Sequence, residues 1–125
     1  MNVPENLRYT KSHEWAQKDE KNIVIGITDH AQHEITDVVH VELPQKGKKV
    51  EQGKPCVVVE SVKSAFDIYA PVSGTVVAVN SDVESSPELV NQSPYDKGHF
   101  IAIEPSDPAD YDKLLSPEEY KNLIK

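Results

Sequence analysis

The residue best placed to do chemistry is a single lysine. In the run CVVVESVKSAFDIYAPVSG, residues 56–74, Lys63 stands between two apolar, β-prone segments. Gly53 lies ten residues before it and Gly74 eleven after it, so the segment is nearly symmetric about the lysine. This pattern predicts a hairpin with Lys63 at its tip, and a glycine at each outer end to supply a tight turn with φ > 0. A lysine on such a platform, between the compact residues Val62, Ser64 and Ala65, suits covalent modification by an incoming enzyme. On these residues alone it is also an ordinary solvated turn lysine, and most hairpin-tip lysines do nothing specific.

No other residues assemble into a reactive constellation. The histidines are 13, 30, 33, 40 and 99. His30 and His33, in HAQHE, form an i,i+3 pair on a predicted short helix. They make a poor metal site, because zinc needs three or four ligands and no further partner has a recognised spacing. They are expected on the surface. His40 alternates with Val39 and Val41 and is expected to be a partly buried, hydrogen-bonded strand residue. Ser12, His13 and Glu14 adjoin, but alternation on a strand sends His13 away from its neighbours. There is no G-x-S-x-G elbow and no P-loop, and the chain has only five glycines. The lone cysteine, Cys56, reads as a small buried hydrophobe. A chain of this kind that takes part in catalysis must carry its reactive group.

The elements around the lysine are mostly short strands. HEWAQ and IVIGI flank the charged turn KDEKN. VVHVELP follows, then residues 56–61 and 65–70, then TVVAVN and FIAIEP. Turn signals recur every eight to twelve residues, the rhythm of a sandwich or small barrel. A short helix is predicted in TDHAQHEI, starting at Thr28 or Asp29, with Gln32 at capping-box distance from Asp29 and with Ala31 and Ile35 on one face. A second is predicted in SPEEYKNLIK, with Ser116 as N-cap, Pro117 at N1, Glu119 completing a capping box, and Leu123 and Ile124 as the docking edge. SSPELV and SDPADYDKLL each place a proline just inside a helix start.

The chain has 125 residues, enough for one domain with a core of its own. Its formal net charge of −8 and its scattered basic residues disfavour nucleic acid and anionic membranes as partners. No apolar run approaches the ~20 residues of a membrane helix. A single cysteine fits a reducing compartment, and the N-terminus has neither an apolar signal core nor an Arg-rich, acid-poor composition. These features predict a cytoplasmic, bacterial protein.

The chain resembles the H-protein family of the glycine cleavage system, the lipoyl carriers. The matching stretches are YTKSHEW (9–15), GITDHAQ (26–32), VELP (41–44), VVESVKSAFDIYAPVSG (58–74), SPELVN (86–91), PY (94–95) and PSDPAD (105–110). A biotin carrier puts Met on both sides of its lysine. The lipoyl domain of a 2-oxoacid dehydrogenase typically has Asp before it and lacks the SHEW block and the C-terminal helix.

The resemblance implies a mainly β fold, the barrel-sandwich hybrid of lipoyl domains. Two antiparallel sheets carry short peripheral helices and a C-terminal helix, and residues 1–125 form a single carrier domain with both terminal extensions packed on it. It implies lipoic acid attached to Lys63 as lipoyl-lysine, no catalytic site and no resident metal. It further implies a monomer that visits a pyridoxal-phosphate-dependent glycine decarboxylase, an aminomethyltransferase and dihydrolipoyl dehydrogenase, after modification by a lipoylating enzyme. Ser12, Glu14 and Asp67 match the positions where the family holds the loaded arm. Three positions depart from the family: Thr36 where glycine is common, so that the usual glycine C-cap is absent, and His40 and His99 where aromatics are common. The sequence leaves open a relay that donates lipoyl groups to other lipoyl domains, an interaction module with Lys63 unmodified, and a small metal-binding protein using His30 and His33.

Overall fold

The computed structural model describes residues 1–125. In chain order its elements are β1 (Arg8–Tyr9), β2 (Glu14–Asp19), β3 (Asn22–Ile27), α1 (Asp29–Ile35), β4 (Val38–Glu42), β5 (Lys49–Val50), β6 (Pro55–Ser61), β7 (Ala65–Tyr69), β8 (Gly74–Val79), α2 (Asp82–Ser85), α3 (Leu89–Gln92), β9 (Ile101–Pro105), α4 (Ala109–Asp112) and α5 (Pro117–Leu123). Six strands form one sheet in the order β1-β2-β3-β9-β8-β5, and β4-β6-β7 form the second. All strand pairs are antiparallel.

The main core lies between the sheets. Ile23, Ile25 and Ile27 of β3 point inward at alternate positions, as the strand period requires, and meet Val41, Val57, Val59, Ile101 and Ile103. Burying each such side chain contributes roughly 1.5–3 kcal/mol. A smaller cluster, Val3, Leu7, Tyr9, Trp15 and Tyr120, fastens both chain ends to the outside of the larger sheet. The Tyr9 and Tyr120 rings stack with centroids 4.6 Å apart.

The predicted strands and the two principal helices are present, with several differences. The two-residue strands β1 and β5 are too short to carry a hydrophobic period, and they form only because neighbouring strands offer unpaired edges. Gly53 has the expected positive φ of 80°. Gly74 does not, and its role is close packing: a Cβ there would lie 2.7 Å from Ile103 Cγ2 and collide with the Glu104 carbonyl. Thr28 rather than Asp29 caps α1, its hydroxyl accepting from Ala31 N–H, while Gln32 donates from its side chain to Asp29 instead of closing a capping box. The α5 capping box between Ser116 and Glu119 is complete. Its buried anchor, however, is Tyr120, whereas Leu123 remains exposed. A bulge between Val38 and His40 breaks the alternation of β4, so His40 is exposed rather than partly buried. Thr36, the C-cap of α1, has φ 66° and ψ −153°, a conformation almost confined to glycine and here held by a β-branched residue.

Candidate functional site

The β6–β7 hairpin pairs from Pro55 and Tyr69 up to Glu60 and Ala65 and leaves Val62, Lys63 and Ser64 as its tip. The backbone of that tip is fixed. Ser61 N–H donates to Ser64 O at 2.8 Å, and the Ser61 hydroxyl accepts from Lys63 N–H at 3.1 Å and from Ser64 N–H at 3.3 Å. Val62 N–H donates to Asp37 O at 3.0 Å, tying the tip to the loop between α1 and β4. The Lys63 side chain is exposed, and its ammonium enters none of the ion pairs. The result is a free amine on an anchored backbone.

Beside the hairpin lies a cleft of ≈ 210 Å³. Its floor is apolar, built from Ile27, Ile35 and Ile68, with Phe66 alongside. Its polar residues are Ser12, His13, Glu34 and Asp67. Phe66 and Asp67 belong to β7, the strand that descends from Lys63, so the cleft starts three residues from the lysine.

Of the three residues expected to hold an arm, Ser12 and Asp67 line this cleft and Glu14 does not. Glu14 is buried, only 1% exposed, and lines a neighbouring pocket that shares Ser12 with the cleft. Its Oε1 accepts from the Thr10 hydroxyl and from the Ser12 hydroxyl at 2.6 Å, and its Oε2 accepts from Tyr69 N–H at 3.2 Å. Glu14 therefore holds Ser12 in place and joins the start of β2 to the end of β7.

His13 is a further departure. It precedes the strand, in the left-handed region at φ 74°, so strand alternation does not apply and it lines the cleft together with Ser12. Its Nδ1 lies 2.8 Å from the Tyr120 hydroxyl, which lies 2.7 Å from the hydroxyl of buried Thr28. Burial, and then the neighbouring His30, hold the His13 imidazole below its usual pKa. The partner of His30 is Glu34, at 2.5 Å, while His33 stays exposed. His13, Glu34 and Phe66 were not legible as cleft residues. The only local signal was the i,i+4 spacing of His30 and Glu34. Cys56 is buried as expected, and that burial pushes its thiol up to about 12.

A family model described as "Glycine cleavage H-protein" matches residues 7–125. The chain belongs to the glycine cleavage H-protein family. A glycine cleavage system H protein of Endomicrobium trichonymphae is 56% identical over 99% of this chain and 100% of its own. One from Thermus thermophilus is 49% identical over 100% of this chain and 98% of its own. The crystal structure of a glycine cleavage system H protein from Mycobacterium marinum superposes with TM-score 0.90 at 31% identity, covering 98% of each chain. The sandwich of two antiparallel sheets is thus the architecture of the H-protein family, whose members are carriers. No helix of the chain is long and apolar enough to cross a membrane.

Proposed function

We propose that this chain is the lipoyl carrier of a glycine cleavage system and has no catalytic site of its own. In this reading it takes a one-carbon unit from the pyridoxal-phosphate-dependent glycine decarboxylase to the aminomethyltransferase. It also delivers electrons to dihydrolipoyl dehydrogenase. The observation that carries the reading is Lys63, an exposed and unpaired amine at the tip of a hairpin whose backbone is fixed by Ser61 and Asp37.

The residues present fit a lipoyl group. An amide to the Lys63 Nζ needs an accessible amine with small neighbours, and the apolar floor of the adjacent cleft suits a hydrocarbon arm. When bound, the group supplies thiol–disulfide exchange from a strained five-membered dithiolane. The protein supplies position. The anchored turn aims the lysine outward, and the Ile27–Ile35–Ile68 floor excludes water from whatever rests on it. Ser12, steadied by Glu14, offers a hydroxyl, and Asp67 offers a carboxylate to an ammonium-bearing guest. The acidic surface, net −8, favours docking on partners with basic faces.

The test is the intact mass, with peptide mapping, after co-expression with a lipoate ligase and added lipoate. One lipoyl amide on Lys63, absent from Lys63→Arg, is the expected result. An unmodified chain beside a modified lipoyl-domain control would overturn the reading.

A further inference from the structure

We propose that His13, His30 and Glu34 form a binding site for one divalent transition ion of the zinc class in the wall of the cleft. The proposal goes beyond the carrier reading and does not depend on modification of Lys63.

The three side chains come from two separate segments, and their ligand atoms all lie within 4.8 Å of one another. A tetrahedral ion with bonds of about 2.0–2.1 Å holds its ligands about 3.3 Å apart. His30 Nε2 and Glu34 Oε1 already touch at 2.5 Å, and an ion entering between them replaces that contact as the Glu34 carboxylate, on a side chain 60% exposed, moves outward by under an ångström. His30 stands one turn before Glu34 on the same face of α1, the i,i+4 relationship that lets two ligands on a helix share an ion. The start of that helix is itself fixed, because Thr28 caps it and the Asp29 carboxylate accepts from Asn2 N–H at 3.0 Å.

His13 arrives from the opposite side, and two features set its orientation. Its backbone sits at φ 74°, a conformation that costs a non-glycine residue on the order of 1–2 kcal/mol and that recurs at functional positions. Its Nδ1 is also within hydrogen-bond distance of the Tyr120 hydroxyl. With Nδ1–H donating to Tyr120, and Tyr120 donating to Thr28, the Nε2 lone pair is left for a metal. That is the outer arrangement in which metal-bound histidines are typically held. Thr28 thus both caps the helix bearing His30 and Glu34 and ends the hydrogen-bond chain that orients His13.

The chemistry of the set selects the ion. Two imidazoles and one carboxylate suit zinc and its neighbours, whereas magnesium and calcium require oxygen ligands throughout. Three protein ligands leave coordination positions open. Because His13 and Glu34 line the cleft with Ser12 and Asp67, those positions are available to water or to a donor that enters it.

The experiment is calorimetric titration of the full chain, without a polyhistidine tag, with zinc chloride near neutral pH. The visible absorption of the cobalt(II) form is recorded in parallel. One ion per chain is expected. Binding should weaken at least about tenfold in His30→Gln and in Glu34→Gln, remain unchanged in His33→Gln, and show a low-coordinate cobalt spectrum that His30→Gln abolishes. His30 and Glu34 lie on a short peripheral helix, and circular dichroism of each variant checks that its fold is retained. Three results would each overturn the site: no one-to-one binding, wild-type affinity in Glu34→Gln, or a loss in His33→Gln as large as in His30→Gln. The last would assign any binding to scattered surface histidines.

Discussion

Nδ1 of His13 lies 2.8 Å from the hydroxyl of Tyr120, a residue 107 positions later in the chain. This contact joins the C-terminal helix to the cleft beside Lys63. The Tyr120 ring stacks on Tyr9, and its hydroxyl bridges His13 and Thr28, so one side chain ties α5, β1, the start of α1 and the loop before β2.

Tyr120→Phe is expected to keep the ring stack and lose both polar links. It leaves buried Thr28 and half-buried His13 short of a partner, at a cost of about 1–3 kcal/mol. Urea denaturation should show a lower midpoint at an unchanged slope. An unchanged midpoint would mean that the helix is held by apolar contact alone.

Glu14 is expected to act on the cleft through Ser12. Glu14→Ala removes the acceptor for the Thr10 and Ser12 hydroxyls and for Tyr69 N–H, and should lower stability by about 1–3 kcal/mol. Lipoylation should still go to completion, because Lys63 and its turn make no contact with Glu14. The lifetime of the loaded carrier should shorten, since Ser12 loses its support. Glu14→Gln retains one acceptor oxygen and should fall between. Mass spectrometry measures the modification and thermal denaturation the stability. A loaded carrier as long-lived in Glu14→Ala as in the wild type would remove Glu14 from any role in the cleft.

Alkaline pH is expected to unfold the protein through its buried tyrosines. Burial is the leading cause that pushes Tyr95 and Tyr120 up to about 12, and Tyr9 is raised further still. An unfolded tyrosine titrates near ~10. The folded state therefore favours the neutral phenol, and this contribution is fully present below about pH 10 and lost as pH rises through the folded values near 12. Phenolate absorbance from these residues should appear together with the loss of near-UV circular dichroism. A gradual rise in absorbance with the fold intact would show that the rings are open to solvent.

Much of the lysine hairpin was legible locally. Two apolar, β-prone runs, a central polar break and a glycine at Gly53 are short-range signals, and the strands formed where they pointed. The α5 capping box needed only Ser116, Pro117 and Glu119. Other readings failed where a local rule met a distant partner. Gly74 was read as a turn glycine, but its requirement is set by the Glu104 backbone lying across the sheet. His40 was placed by alternation, and a bulge that depends on pairing with β6 turned it outward.

Three things about this protein were determined by the sequence alone: the family it resembles, the positions along the chain of its seven longer strands, and the lysine at the tip of one hairpin. These rest on residue type and on spacing within a dozen positions, where backbone geometry has few choices. Only the tertiary structure decided that Ser12 and Asp67 line one cleft while Glu14 lines the pocket beside it, and that His13 meets His30 and Glu34. Those relationships join segments 17 to 55 positions apart in the chain. The distance between their side chains is set by how two sheets and a terminal helix pack, a quantity that no local pattern encodes.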